Sequence, residues 1–174
     1  MRLFFAIWPD EPVRAKLGEI GAAVAVRVQG KPVPPSKLHI TLAFLGEVPE
    51  ARLHDAREAA MAARASRFQL DFDEVGSFRS AHVAWAGCSR VPPGLGALQS
   101  SLADGLRRRG FALEERSFAA HVTLARKISK PIAREPVPAI GWSVHDFALI
   151  RSETGRGTYS VLERWGLEGN RSGE

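Results

Sequence analysis

The chain carries one short segment twice, about half its own length apart. Leu38-His-Ile-Thr-Leu-Ala43 and Ala120-His-Val-Thr-Leu-Ala125 share a His-β-branched-Thr-Leu-Ala core, with histidines 82 positions apart in 174 residues. In an extended strand, side chains two apart point to the same face. His39 and Thr41 therefore share one face, as do His121 and Thr123. Ile40 and Val122 point the other way, into a core. One His-x-Thr in a strand is ordinary; two in the same apolar frame are not. A half-and-half duplication would set the two strands across a cleft, related by a pseudo-twofold axis.

Such a cleft would hold two imidazoles and two hydroxyls, a working set for phosphodiester chemistry. Histidine titrates near neutral pH, so one imidazole can take a proton from an attacking water or hydroxyl. The other, protonated, can give one to the leaving oxygen. Threonine hydroxyls can hold the non-bridging oxygens. A metal site is a weaker reading, because neither motif contributes an Asp, Glu or Cys ligand. A serine triad lacks the Gly-x-Ser-x-Gly elbow.

The charge fits a phosphate-bearing partner and equally fits compositional drift in an Ala-rich chain. There are 24 Lys+Arg against 19 Asp+Glu, a net +5, and 19 of the cations are Arg. The arginine fork matches phosphate oxygens. Asp104–Arg134 alone holds 8 cations and 3 anions, equal to the excess of the whole chain, and this window contains the second motif. Arg107-Arg108-Arg109 at a helix end is read as a solvated terminus. The single Cys88 excludes an internal disulfide and reads as a small apolar residue. Leu3–Trp8 is too short for a signal core, and no stretch approaches a membrane span. A cytoplasmic, monomeric chain without membrane partners is expected.

Strands are expected at Leu3–Trp8, Leu38–Leu42, Phe68–Phe78, Val83–Gly87, Val122–Arg126, Ser143–Ser152 and Thr158–Leu167. Helices are expected at Glu11–Val26, Pro49–Ala65 and Leu98–Arg109. Val91–Gly96 and the proline-bearing Lys130–Ile140 read as loops. Strands that follow one another through short turns imply α+β with mainly antiparallel sheets. Residues 1–167 read as one domain and 168–174 as a frayed polar tail. The four tryptophans, Trp8, Trp85, Trp142 and Trp165, read as core or inter-lobe packing.

These motifs resemble those of the 2H phosphoesterase superfamily, and within it the RNA 2′,3′-cyclic phosphodiesterases, also called 2′-5′ RNA ligases. Arg2–Ile7, Val33–Val48, His121–Arg126 and Tyr159–Trp165 carry the resemblance. It implies two similar lobes, each an antiparallel sheet flanked by helices, around a central cleft. It implies hydrolysis of RNA 2′,3′-cyclic phosphate ends, or of cyclic nucleotides, to 2′-phosphomonoesters without metal or cofactor. Joining of 2′-5′ linkages in tRNA halves is a further family activity. His39 then matches the proton donor, His121 the proton acceptor, and Thr41, Thr123 and Arg126 the phosphate-binding groups. Regular strand parity would turn Arg126 away from His121, so a bulge or a strand end must redirect it. Phe44, at the same offset after His39, reads equally as a base-stacking ring or a core residue. Two alternatives stand beside this. One is a 2H phosphoesterase for a small cyclic nucleotide or a 2′-5′ oligonucleotide. The other is a non-catalytic RNA-binding module, which leaves the paired motifs unexplained.

Overall fold

Leu3 to Ile7 is unbroken apolar sequence, the pattern of a strand buried on both faces. The computed structural model describes residues 1–169, and there the run is β1 (Arg2–Ile7). Leu3, Phe5 and Ile7 enter the main core, whereas Phe4 and Ala6 enter a second small cluster with Ala148 and Ile150. The other strands are β2 (Lys31–Pro32), β3 (Ile40–Glu47), β4 (Phe68–Phe78), β5 (Val83–Gly87), β6 (His121–Arg126), β7 (Glu135–Val144), β8 (Asp146–Glu153) and β9 (Thr158–Gly166). The helices are α1 (Glu11–Val28), α2 (Leu53–Ala62) and α3 (Pro93–Arg108).

The sheet runs β7-β4-β5-β6-β3-β1-β8-β9, with β2 added on β6. Each named pairing is antiparallel, in keeping with the α+β expectation. The two motif strands meet at its middle through the single pair Ile40↔Val122. That narrow waist divides the sheet into one lobe of β7, β4, β5 and β6 with β2 added and one of β3, β1, β8 and β9, and β3 and β6 are the strands that meet at the waist.

The lobes are not halves of the chain, as a simple half-and-half duplication would make them. The C-terminal hairpin β8–β9 completes the lobe of β1 and β3. The helix that follows β1, α1, packs on β5, β6 and β7, while α3 packs on β3 and α2. Each lobe thus takes its cover from the other's stretch of chain.

Asp10 caps α1, its carboxylate accepting from Val13 N–H at 3.1 Å, and Pro12 lies in the first turn. Helix α3 begins at Pro93, well before the expected Leu98. Two prolines fit a helix start, and Gly94 lets that first turn sit against Phe68, where a Cβ would lie 2.9 Å from the Phe68 Cβ. The expected loop Lys130–Ile140 is largely strand. Pro136 and Pro138 lie in β7, an edge strand, where a missing N–H has a solvent-facing side to occupy. The expected strand Ser143–Ser152 accordingly divides at His145 between β7 and β8.

Of the expected tail, Glu168 is fixed. Its N–H donates to Ala65 O at 3.2 Å and its carbonyl accepts from Arg67 N–H at 2.8 Å. Residues 170–174 lie outside the described part. No helix among the described residues is long and apolar enough to cross a membrane.

Candidate active site

The two histidines are held alike. His39 precedes β3, and its Nδ1 lies 2.7 Å from the Lys37 carbonyl. His121 opens β6, and its Nδ1 lies 2.8 Å from the Ala119 carbonyl. A carbonyl only accepts, so Nδ1 carries the hydrogen in both rings. Each neutral imidazole then presents the lone pair of Nε2 to the cleft. The Thr41 hydroxyl donates to Nε2 of His39 at 3.1 Å. Among the described residues, no side chain bonds Nε2 of His121.

The second half of each motif shows why parity misleads. In β6 the pairing with β5 slips between Ala84↔Ala125 and Trp85↔Thr123, leaving Leu124 as an extra residue. In β3 the pairing with β1 slips between Phe5↔Ala43 and Ala6↔Thr41, leaving Leu42 extra. The two bulges fall at the same motif position. Their carbonyls are engaged from outside the strand pair, Leu124 O by Val33 N–H at 2.8 Å and Leu42 O by the Gln99 amide at 3.3 Å. A bulge reverses the alternation beyond it. Arg126 therefore joins the face of His121 and Thr123, as the redirecting irregularity requires.

Val33, Lys37, His39, Thr41, His121, Thr123 and Arg126 line one pocket of about 50 Å³. That is room for a phosphate group or a few waters, not for a nucleoside. Five of the six residues singled out in the sequence meet here. The sixth, Phe44, is 40% exposed outside the lining, with the Arg2 guanidinium 5.0 Å from its ring centroid. Lys37 and Val33 were not singled out. The Pro-rich segment before the first motif brings both of them in.

Aromatic rings set the attitude of each imidazole. Trp8 stacks on His39 at 4.9 Å and 12°, Phe4 lies 5.1 Å away, and Tyr159 meets the ring edge-on at 5.7 Å. Trp8 is thus part of the site rather than simple packing. Trp142 and Trp165 keep to the core, stacked on Phe72 and Phe147. On the other lobe Phe78 meets His121 edge-on at 5.1 Å and leans on Trp85 at 5.4 Å.

Burial pushes the His39 imidazole down from its usual 6.5 to about 4; the Lys37 carbonyl opposes this, and Arg126 and His121 add to it. His121 is lowered too, chiefly by burial, against its bond to Ala119 O, with Arg116 and Arg126 adding. Both rings are therefore neutral at pH 7. A phosphate anion beside them reverses the balance, because it favours imidazolium. In a titration followed by NMR, the His39 resonances of the free protein should turn over near pH 4. Saturating 2′-AMP should move that midpoint upward, and 2′-AMP should bind more tightly at pH 5 than at pH 8. An unmoved midpoint would contradict this electrostatic picture. Stability follows the same sign. Between pH 6.5 and 4 the unfolded chain binds the His39 proton and the folded chain does not, so Tm should fall through that interval.

Much of the basic window lies elsewhere. Arg107 on α3 reaches Asp104 at 3.7 Å, Arg109 at the end of that helix donates to Gly105 O, and Arg116 pairs with Glu114. Burial and the Asp73 and Asp71 charges push the Cys88 thiol up to about 12, which leaves it unreactive.

Two His-x-Thr strands meeting at the waist of a duplicated antiparallel sheet define the two-histidine phosphoesterases as a class. The family model of the 2′-5′ RNA ligase superfamily matches residues 9–156. The RNA 2′,3′-cyclic phosphodiesterase of Escherichia coli is 35% identical over 170 residues, covering 95% of this chain and 96% of that protein. Its counterpart in Thermus thermophilus is 36% identical, covering 100% and 94%. The crystal structure of Escherichia coli LigT complexed with 3′-AMP superposes with a TM-score of 0.88 at 33% identity, over 95% of this chain and 97% of that one. The chain belongs to the 2′-5′ RNA ligase superfamily.

Proposed function

We propose that the protein opens RNA 2′,3′-cyclic phosphate ends to 2′-phosphomonoesters, without a metal, by acid–base catalysis between His121 and His39. The observation that carries this is the pair of Nε2 atoms turned into one phosphate-sized pocket, one lone pair unengaged and the other held by a threonine. Relatives of near-full coverage bear the name RNA 2′,3′-cyclic phosphodiesterase, which supports the same substrate.

His121 Nε2 takes a proton from water as its oxygen attacks phosphorus. The bond from phosphorus to O3′ breaks, and His39, protonated once the substrate anion has raised its pKa, gives its Nε2 proton to O3′. The product has a 2′-phosphate and a free 3′-hydroxyl. His121 ends protonated and His39 neutral, so solvent must exchange the protons before the next turnover. Thr41, Thr123, Arg126 and Lys37 hold the non-bridging oxygens as charge gathers on them. The pocket's donor set contains no carboxylate to complete a metal shell.

The test is to incubate the protein with a nucleoside 2′,3′-cyclic phosphate in EDTA and identify the product. A 2′-monophosphate formed at an undiminished rate is expected. A 3′-monophosphate, or activity lost to chelation, would sink the mechanism.

A further inference from the structure

A second depression adjoins the catalytic pocket. It is a groove of about 560 Å³ lined by Ala81, His82, Val83, Arg126, Lys127 and Ile128. Arg126 lines both, so the two share a wall. The groove lies at the end of the sheet, where Val83 pairs with Arg126 and Ile128 also reaches the main core. Val83 and Trp85 are two apart in β5, and neither joins the main core, which takes Ala84 and Ala86 instead.

The groove has an apolar floor of Val83 and Ile128 and a basic rim of His82, Arg126 and Lys127. Among the described residues, neither Arg126 nor Lys127 stands within ion-pair distance of a carboxylate. Lys31, opposite Arg126 across the β2–β6 pairing, adds a further exposed cation. The backbone shape is unusual as well. His82 has φ 51° and Lys127 φ 54°, the left-handed region that glycine fills at least cost. The two are joined at this sheet end by the bond from Ile128 N–H to His82 O at 3.1 Å. Glycine at both positions would relieve the backbone but remove two basic side chains from the rim. Strained non-glycine residues of this kind cluster at ligand clamps.

We propose that this groove is the subsite for the nucleotide on the 5′ side of the reactive end, with Lys127 and His82 holding its phosphodiester. The inference rests on the proposed function. The catalytic pocket admits the cyclic phosphate and little else, so the RNA must lie outside it. The groove shares Arg126 with it, and an unpaired basic rim over an apolar floor fits a phosphodiester and its sugar.

The experiment compares kcat/KM for a nucleoside 2′,3′-cyclic phosphate with that for a dinucleotide ending in the same cyclic phosphate. Wild type should favour the dinucleotide about tenfold, the size of one charge-assisted hydrogen bond. Lys127→Ala and His82→Ala should each remove much of that advantage and leave the mononucleotide rate within about twofold. Lys127→Gly, which also relieves the left-handed backbone, should behave as Lys127→Ala does and guards against a folding defect. Hydrolysis of both substrates with no dinucleotide preference would overturn the subsite alone. An equal loss on both substrates would place these residues against the reacting nucleotide and would likewise overturn it. Failure to hydrolyse either would overturn the underlying reading of function instead.

Discussion

His121→Ala and His39→Ala should each lower kcat on a 2′,3′-cyclic nucleotide by about 10²–10⁴-fold, the usual contribution of a positioned acid or base. The double variant should fall little further than the worse single one, since residues that act as a unit are not additive. The two losses should differ in kind. Of the two pocket histidines, His121 is the one whose Nε2 is unengaged, so its loss removes activation of water. His39 sits against Trp8, Phe4 and Tyr159, and its loss also leaves a space among those rings. Both variants should retain the wild-type fold by circular dichroism, because both imidazoles face the cleft rather than the main core. Wild-type turnover in either would remove that histidine from the mechanism.

The second large effect concerns a residue that touches no substrate. Trp85 lies across Gly76 and Gly87. A Cβ on Gly76 would stand 2.5 Å from Trp85 Cζ2, and one on Gly87 would stand 2.9 Å from Cζ3. Trp85 supports Phe78, and Phe78 meets the edge of His121. Gly76→Ala should therefore displace the indole and, through Phe78, the His121 ring. About 1–3 kcal/mol of stability should go to overpacking. A kcat loss approaching 10²-fold is expected if the imidazole moves by about 1 Å. Gly96→Ala is the matched control. Nothing lies within 4 Å of a Cβ there, and it sits in α3, so it should gain roughly 0.5–1 kcal/mol and keep full activity. Calorimetry and steady-state kinetics on the two variants separate the cases. Full activity in Gly76→Ala would break the proposed chain of contacts.

The His–Thr pairs of the pocket were legible because strand parity is local. His39 with Thr41, and His121 with Thr123, need only i, i+2 alternation to share a face. The antiparallel α+β class was legible too, from strands joined by short turns. What parity alone did not show was Arg126. Its place depends on the bulge at Leu124, which is defined by pairing with β5, a strand far away in sequence. The prolines of β7 read as a loop because an edge position becomes known only from the assembled sheet. The rings around His39 are Phe4, Trp8 and Tyr159, contributed by opposite ends of the chain, and no periodicity links them. The exchange of α1 and α3 between lobes is likewise a property of packing rather than of any local pattern.

The most direct test of the two histidine roles uses a cyclic phosphate whose bridging 3′ oxygen is replaced by sulfur, with EDTA present throughout. A thiolate leaves without help from an acid. On this substrate His39→Ala should recover most of its lost rate, while His121→Ala should stay slow. Rescue of His121→Ala instead, or of neither variant, would contradict the assignment of His39 as the acid and His121 as the base.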